Sequence, residues 1–198
     1  MSYKLYGHPR SRTFRVMWML EELGQPYDQI PAPPQSEDIK QVSALGKIPV
    51  LMDGEDAIRD SAAILTYLAD KHGALTAKPG TIARAQQDAM TFRILDEVET
   101  QLWTAARHSF VLPEAERVPE VKETCKADYL RNVSAIMAEV EGPYLMGQDF
   151  TIPDILLTHL AGWALTAKFP EPPEAFSEYL KRTRTRPGFK AARAKQDI

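Results

Sequence analysis

The chain has 198 residues, 44% of them hydrophobic and 26% charged, with a formal net charge of −3. At this length a folded chain hides roughly 70% of its extended surface, so one or two domains can build a core without staples. A single cysteine, Cys125, excludes an intrachain disulfide, a CxxC redox pair and a cysteine zinc site. The four histidines (His8, His72, His108, His159) show no close ligand spacing, so no metal centre is expected. The chain does not open on an apolar segment with a cleavage site. Its longest uncharged stretch, Ile155 to Ala167, is 13 residues, too short to span a bilayer. The expectation is a soluble, cytoplasmic protein that binds neither membrane nor nucleic acid.

Lys4-Leu5-Tyr6 reads as a short strand ending at Gly7-His8-Pro9. Arg12 to Leu23 places apolar residues at Val16, Met19, Leu20 and Leu23 before Gly24, the pattern of a helix with a glycine stop. Tyr27 to Ile30 offers a second strand, and the run Pro31-Ala32-Pro33-Pro34 is loop. Ile48 to Met52, the turn Asp53-Gly54 and Ala57-Ile58 read as strand, turn and strand, after which Asp60-Ser61 opens a helix that stops at Gly73. The order β-α-β-(α)-β-β-α describes an α/β domain over residues 1–75. Residues 76–82 read as a linker, and 83–198 as an all-helical domain. In that second half Ile82 to Ser109 is one long amphipathic stretch and Val121 to Val140 another. A third, from Thr151 to Leu165, has no polar face and so belongs at the centre of a bundle. Prolines 170, 172, 173 and 187 punctuate two more short helices.

Three features carry chemistry. The first βα junction, His8-Pro9-Arg10-Ser11-Arg12-Thr13, sets a hydroxyl at a helix N-terminus with Arg10, Arg12 and Arg15 close by. Free N–H groups, the helix dipole and arginines favour an anion there, including a thiolate, whose thiol the chain would take from a ligand. Ser11 as a plain helix cap is the competing reading. Gly46-Lys47-Ile48-Pro49-Val50 puts a proline at the start of a strand. It is either an edge-strand proline or a cis turn that leaves the Ile48 backbone free to pair with a peptide-like ligand. Asp60-Ser61 either caps its helix or holds the zwitterionic end of an amino acid, Ser61 toward the carboxylate and Asp60 toward the ammonium group.

Taken together, Leu5 to Ser11, Val16 to Gly24, Gly46 to Leu51, Asp60 to Ile64 and Phe150-Thr151-Ile152-Pro153-Asp154-Ile155 resemble the cytosolic glutathione transferase family, in its serine-type, bacterial-like form. The resemblance implies a thioredoxin-like α/β N-terminal domain followed by an all-α helical bundle. It makes Ser11 the hydroxyl on glutathione's sulfur, with Arg12 and Thr13 as alternates. Ile48 beside a cis Pro49 would pair with the cysteinyl residue, Lys47 would lie near the peptide backbone or glycyl carboxylate, and Asp60 and Ser61 would hold the γ-glutamyl end. Asp60 stands where the family more commonly has Glu, and Ser43-Ala44 where it usually has Asn-Pro.

The implied reaction is activation of the glutathione thiolate for attack on hydrophobic electrophiles or organic hydroperoxides, with glutathione as co-substrate and no tightly bound cofactor. A non-catalytic glutathione- or partner-binding scaffold of the same fold is the alternative. The electrophile site is expected between the domains, with Phe14, Trp103, Arg107, His108 and Phe110 near it. The resemblance further implies a role in detoxification and a homodimer formed through the last helix of the first domain and the long helix after Ile82. The basic run Lys181, Arg182, Arg184, Arg186, Lys190, Arg193 and Lys195 reads as a solvated final helix. Cys125 reads as inert.

Overall fold

A computed structural model describes residues 2–196. Met1 and the last two residues of the expected helical domain lie outside that range. Four strands, β1 (Tyr3–Tyr6), β2 (Tyr27–Ile30), β3 (Val50–Asp53) and β4 (Asp56–Arg59), form one sheet in the order β2-β1-β3-β4. β1 runs parallel to β2 and antiparallel to β3, and β3 and β4 make a hairpin. Tyr3 and Leu5 of β1 are buried while Lys4 is exposed, the period of two that a strand packed on one face requires. Helix α1 (Thr13–Glu22) crosses from β1 to β2, α2 (Glu37–Val42) from β2 to β3, and α3 (Ser61–His72) follows the hairpin. This is the element order read from the sequence.

The chain divides by contacts into two compact units. One holds the residues through Pro79 together with those from Arg184 on, and the other spans Gly80–Thr183. The C-terminal helix α9 (Pro187–Ala194) therefore belongs with the sheet, where the sequence reading put it in the helical domain. The reason lies in α1, whose residues Thr13 to Leu20 are all buried. β1, α3 and α9 all pack against it. Trp18 and Phe14 meet Phe189 edge-on, at ring separations of 4.9 and 5.5 Å. Aromatic burial of this kind contributes about 1.5–3 kcal/mol per side chain. The basic run is accordingly not one solvated helix. It is divided between α8 (Glu174–Arg184) and α9, and Arg186 and Lys195 pair with Glu22 and Glu21 at the end of α1.

In the second unit the long helix expected from periodicity is present, with α4 (Ile82–Arg93) and α5 (Thr100–Ala106) joined through unbroken helical backbone. Wider turns occupy Ile94–Glu99 and Arg107–Val111. Side chains enter the carbonyl ladder at the first of these: Asn132 of α6 (Val121–Ala138) donates to Glu97 O at 2.7 Å, and Thr100 Oγ1 to Leu95 O at 3.2 Å. Such insertions are an ordinary cause of local widening. Helix α7 (Ile152–Thr166) is buried from Ile152 through Thr158 and packs against α4 and α5, as its lack of a polar face required. Its start is fixed by Asp154, which reaches back to accept from the Thr151 N–H at 2.8 Å. Among the described residues no helix is long and apolar enough to cross a membrane.

Candidate functional site

The three sequence features of the N-terminal unit meet at one end of its sheet. Val50 stands opposite both Tyr6 and Arg59, so the loop after β1, the Ile48-Pro49 turn before β3 and the Asp60-Ser61 turn after β4 emerge together. Gly7 is the point of closest approach. Its φ of +142° is one that L side chains rarely adopt, and a Cβ placed there would lie 2.2 Å from Thr13 Oγ1 and 3.2 Å from Ile48 Cβ. Only a residue without a side chain lets the first loop and the proline turn close on the strand end.

Ser11 is half-buried. Its hydroxyl donates to His8 O at 2.7 Å, lies 3.0 Å from Thr13 Oγ1 and accepts from the Thr13 N–H at 3.2 Å. The last of these bonds is the capping role; the exposed side of the oxygen is the part a ligand can reach. Thr13 has no exposed surface, and Arg12 is half-buried with neighbours of its own.

The Ile48-Pro49 peptide is cis. Among the described residues neither the N–H nor the C=O of Ile48 takes part in a hydrogen bond. Lys47 beside it is exposed. Asp60 has a φ of +72°, and its Oδ1 accepts from the N–H groups of Ala62 and Ala63 at 2.9 and 3.1 Å, so that oxygen is occupied by the helix cap. Ser61 is buried, and its oxygen accepts from Arg15 Nη1 at 3.1 Å. That contact was not read from the sequence, where Arg15 counted only as nearby positive charge. The available signal was an arginine flanked by Phe14 and Val16 on a face that has to be buried.

The residues expected at an electrophile site fall into two groups. Phe14 is only 5% exposed and packed on Phe189, which makes it part of the core of its unit and removes it from any surface where a ligand sits. Trp103, Arg107 and Phe110 are exposed on the helical unit, on α5 and the wide turn after it, with Phe110 70% exposed. His108 is half-buried and its Nδ1 accepts from the Val118 N–H at 3.0 Å. Cys125 is buried on α6, where burial and then the Asp128 carboxylate push its thiol pKa up, the opposite of what a nucleophilic thiol needs. No group of three or more metal-ligating side chains occurs among the described residues.

Residues 5–78 match the family model described as the N-terminal domain of glutathione S-transferase. Glutathione S-transferase 3 of Zea mays is 27% identical over 193 residues, covering 86% of this chain and 81% of that protein. A zeta-class glutathione S-transferase of Euphorbia esula is 26% identical over 163 residues, with coverage of 78% and 72%. Among solved structures, a glutathione transferase from Methylococcus capsulatus superposes with a TM-score of 0.84 at 23% identity, covering 98% of each chain. The transferase URE2P8 from Phanerochaete chrysosporium, solved with oxidized glutathione, gives 0.85 at 20% identity, with coverage of 99% and 95%. These structural likenesses show the fold.

Proposed function

We propose that the chain is a member of the glutathione S-transferase family, which its N-terminal match and its relatives support, and that its N-terminal unit binds glutathione and holds the thiol as thiolate at Ser11. The observation that carries this reading is the convergence on Gly7 of the Ser11 loop and the Ile48-Pro49 turn, with Ser61 at the same sheet end. In this arrangement the unpaired Ile48 backbone takes the cysteinyl residue as an added strand would. The Ser61 hydroxyl, already accepting from Arg15, keeps its hydrogen for the γ-glutamyl carboxylate, and Asp60 Oδ2 faces the ammonium group. Lys47 reaches the glycyl end.

A free thiol titrates near pH 8.5, so only a few per cent is thiolate at neutral pH. Each unit by which the site lowers that pKa corresponds to about 1.4 kcal/mol of preference for the anion. Between the two hydroxyls Ser11 is the donor of choice, since Thr13 is fully covered. Thr13 instead stands behind Ser11, and because the Ser11 hydrogen goes to His8 O, the Thr13 hydroxyl is the one left to donate across their contact, which strengthens Ser11 as a donor in turn. When glutathione binds, the Ser11 hydrogen turns from His8 O to the sulfur. The thiolate then forms a sulfur–carbon bond to a hydrophobic electrophile as the leaving group departs. With a hydroperoxide, it takes the terminal oxygen and releases the alcohol, and a second glutathione resolves the sulfenic acid to disulfide and water. Trp103, Arg107, His108 and Phe110 are the side chains of the helical unit that we assign to the electrophile.

Serine-type subclass, cytoplasmic location and a homodimer belong to the same proposal. For the dimer, Ile82, Ala85, Ala89 and Phe92 support it, being four exposed residues on one 80°-wide stripe of α4. The Ser11 hydroxyl's present donation to a backbone carbonyl favours the second reading, a glutathione-binding scaffold without turnover. Calorimetry with glutathione and turnover of a generic aryl halide separate the possibilities. Binding with turnover that Ser11→Ala reduces at least tenfold supports the enzyme, and binding without any turnover supports the scaffold. No binding at millimolar glutathione overturns both.

A further inference from the structure

Arg59 is the last residue of β4, and its side chain reaches a different element. Nε and Nη2 both donate to the carbonyl oxygen of Val42, at 3.0 and 2.7 Å. Val42 is the last residue of α2, where end carbonyls have no donor from a following turn. The guanidinium fork supplies that donor. From Val42 the chain runs through Ser43, Ala44, Leu45 and Gly46 into Lys47 and Ile48, while Arg59 is followed at once by Asp60 and Ser61. One side chain thus ties the turn assigned to the γ-glutamyl end to the segment assigned to the rest of glutathione.

The segment needs such a hold. α2 is six residues long with only Ile39 buried, too short and too exposed to be rigid by itself. Its other restraint lies further along, where the Gln35 N–H donates to Gly46 O and the Gln35 side chain to Leu45 O, each at 2.9 Å. We infer that Arg59 is a positioning residue for glutathione. It fixes the end of α2, and through the backbone the placement of Lys47 and Ile48, without touching the ligand. Lysine is a poor substitute, because a point charge on a flexible stem does not reproduce two donors fixed in one plane. This role rests on the glutathione assignment above.

The test compares Arg59→Gln and Arg59→Lys with the unaltered full chain. In Arg59→Gln the KM for glutathione rises about five- to tenfold, the net worth of one ordinary hydrogen bond. kcat at saturating glutathione stays within about twofold, since Ser11 is untouched, and Arg59→Lys falls between. In the free protein, amide exchange accelerates at Ser43 and Gly46, whose N–H groups bond to Ile39 O and Ser43 O, and is unchanged at Ile64 in α3. Unchanged exchange at Ser43 and Gly46, an unchanged KM, or a loss confined to kcat overturns the role of Arg59. A wild-type chain that fails to bind millimolar glutathione overturns the ligand assignment and this role with it, whatever the exchange shows.

Discussion

The Arg15 guanidinium, buried on α1, donates from Nη1 to the Ser61 hydroxyl at the start of α3, 3.1 Å away and 46 residues along the chain. A buried charged donor that loses an acceptor bears the desolvation of that group, about 1–3 kcal/mol. Ser61→Ala should therefore lower the unfolding free energy by about that amount, well beyond the ±0.5 kcal/mol usual for surface serines. It should weaken glutathione binding at the same time. Urea denaturation and calorimetry on the same sample check both; an unchanged denaturation midpoint refutes the structural part.

Gly7→Ala places a methyl group 2.2 Å from Thr13 Oγ1 on a backbone with φ of +142°. Overlap and backbone strain together should cost more than about 2 kcal/mol. Removing the opposing hydroxyl in Gly7→Ala/Thr13→Ala should recover the overlap part and leave the strain. A double-mutant cycle by chemical denaturation therefore shows a favourable coupling energy. Strict additivity would mean that the two atoms do not meet.

The element order of the first unit was legible because each of its pieces is local: alternation in β1, a 3.6 period with Gly24 after α1, and a glycine turn between β3 and β4. The candidate residues Ser11, Ile48 and Ser61 stand out in the sequence for the same reason, since each sits in its own short pattern. What escaped depends on contacts distant in sequence. The docking of α9 on α1 needs Glu22 and Arg186, 164 residues apart, and nothing near Arg186 announces it. Periodicity gave the long helix after Ile82 but not its widening, where Asn132 of α6 donates to Glu97 O. Phe14 looked like a mouth residue because only the structure brings Phe189 against it. Arg59 and Val42 belong to no local pattern at all.

Thr13→Val keeps the volume of a fully buried side chain and removes only the hydroxyl behind Ser11. Loss of one neutral donor, about 0.5–1.5 kcal/mol, should raise the pKa of enzyme-bound glutathione by about half to one unit. The pH profile of thiolate absorbance reads this directly. Ser11→Ala should shift it further, and an unshifted profile in Thr13→Val removes Thr13 from the mechanism.

Asp154 predicts a pH dependence of stability. Burial raises its pKa from the ordinary 3.8 to about 6, outweighing donation from Leu145 N, Thr151 N, Tyr179 and the Thr151 hydroxyl. Between the two values only the folded state holds the proton, so rising pH removes stability there. The contribution is fully present below about pH 4 and lost above about pH 6, for a total near 3 kcal/mol. Other carboxylates titrate in the same range, so the quantity to measure is the difference in unfolding free energy between wild type and Asp154→Asn. That difference should fall from pH 4 to pH 7; a flat or rising difference contradicts the buried-carboxyl account.

Glu22 concentrates the attachment of α9. Its carboxylate accepts from Arg186 Nε and Nη2 at 2.9 and 2.7 Å and from Trp18 Nε1 at 2.9 Å. Gly188 lies so close that a Cβ would meet Glu22 Cγ and Cδ at 2.7 Å. Gly188→Ala must push the carboxylate out of this arrangement, leaving Trp18 Nε1, which is fully buried, without its acceptor. Gly188→Ala and Glu22→Ala should each cost about 2–4 kcal/mol, because breaking a largely covered pair takes away the two-point acceptor of a partly buried guanidinium. Their double variant should cost little more than Glu22→Ala alone, as the alanine methyl then has nothing to displace. Thermal unfolding of the three variants, with Trp18 fluorescence as a local probe, checks the scheme. Equal and additive losses would show that α9 is held by its aromatic contacts and not through Glu22.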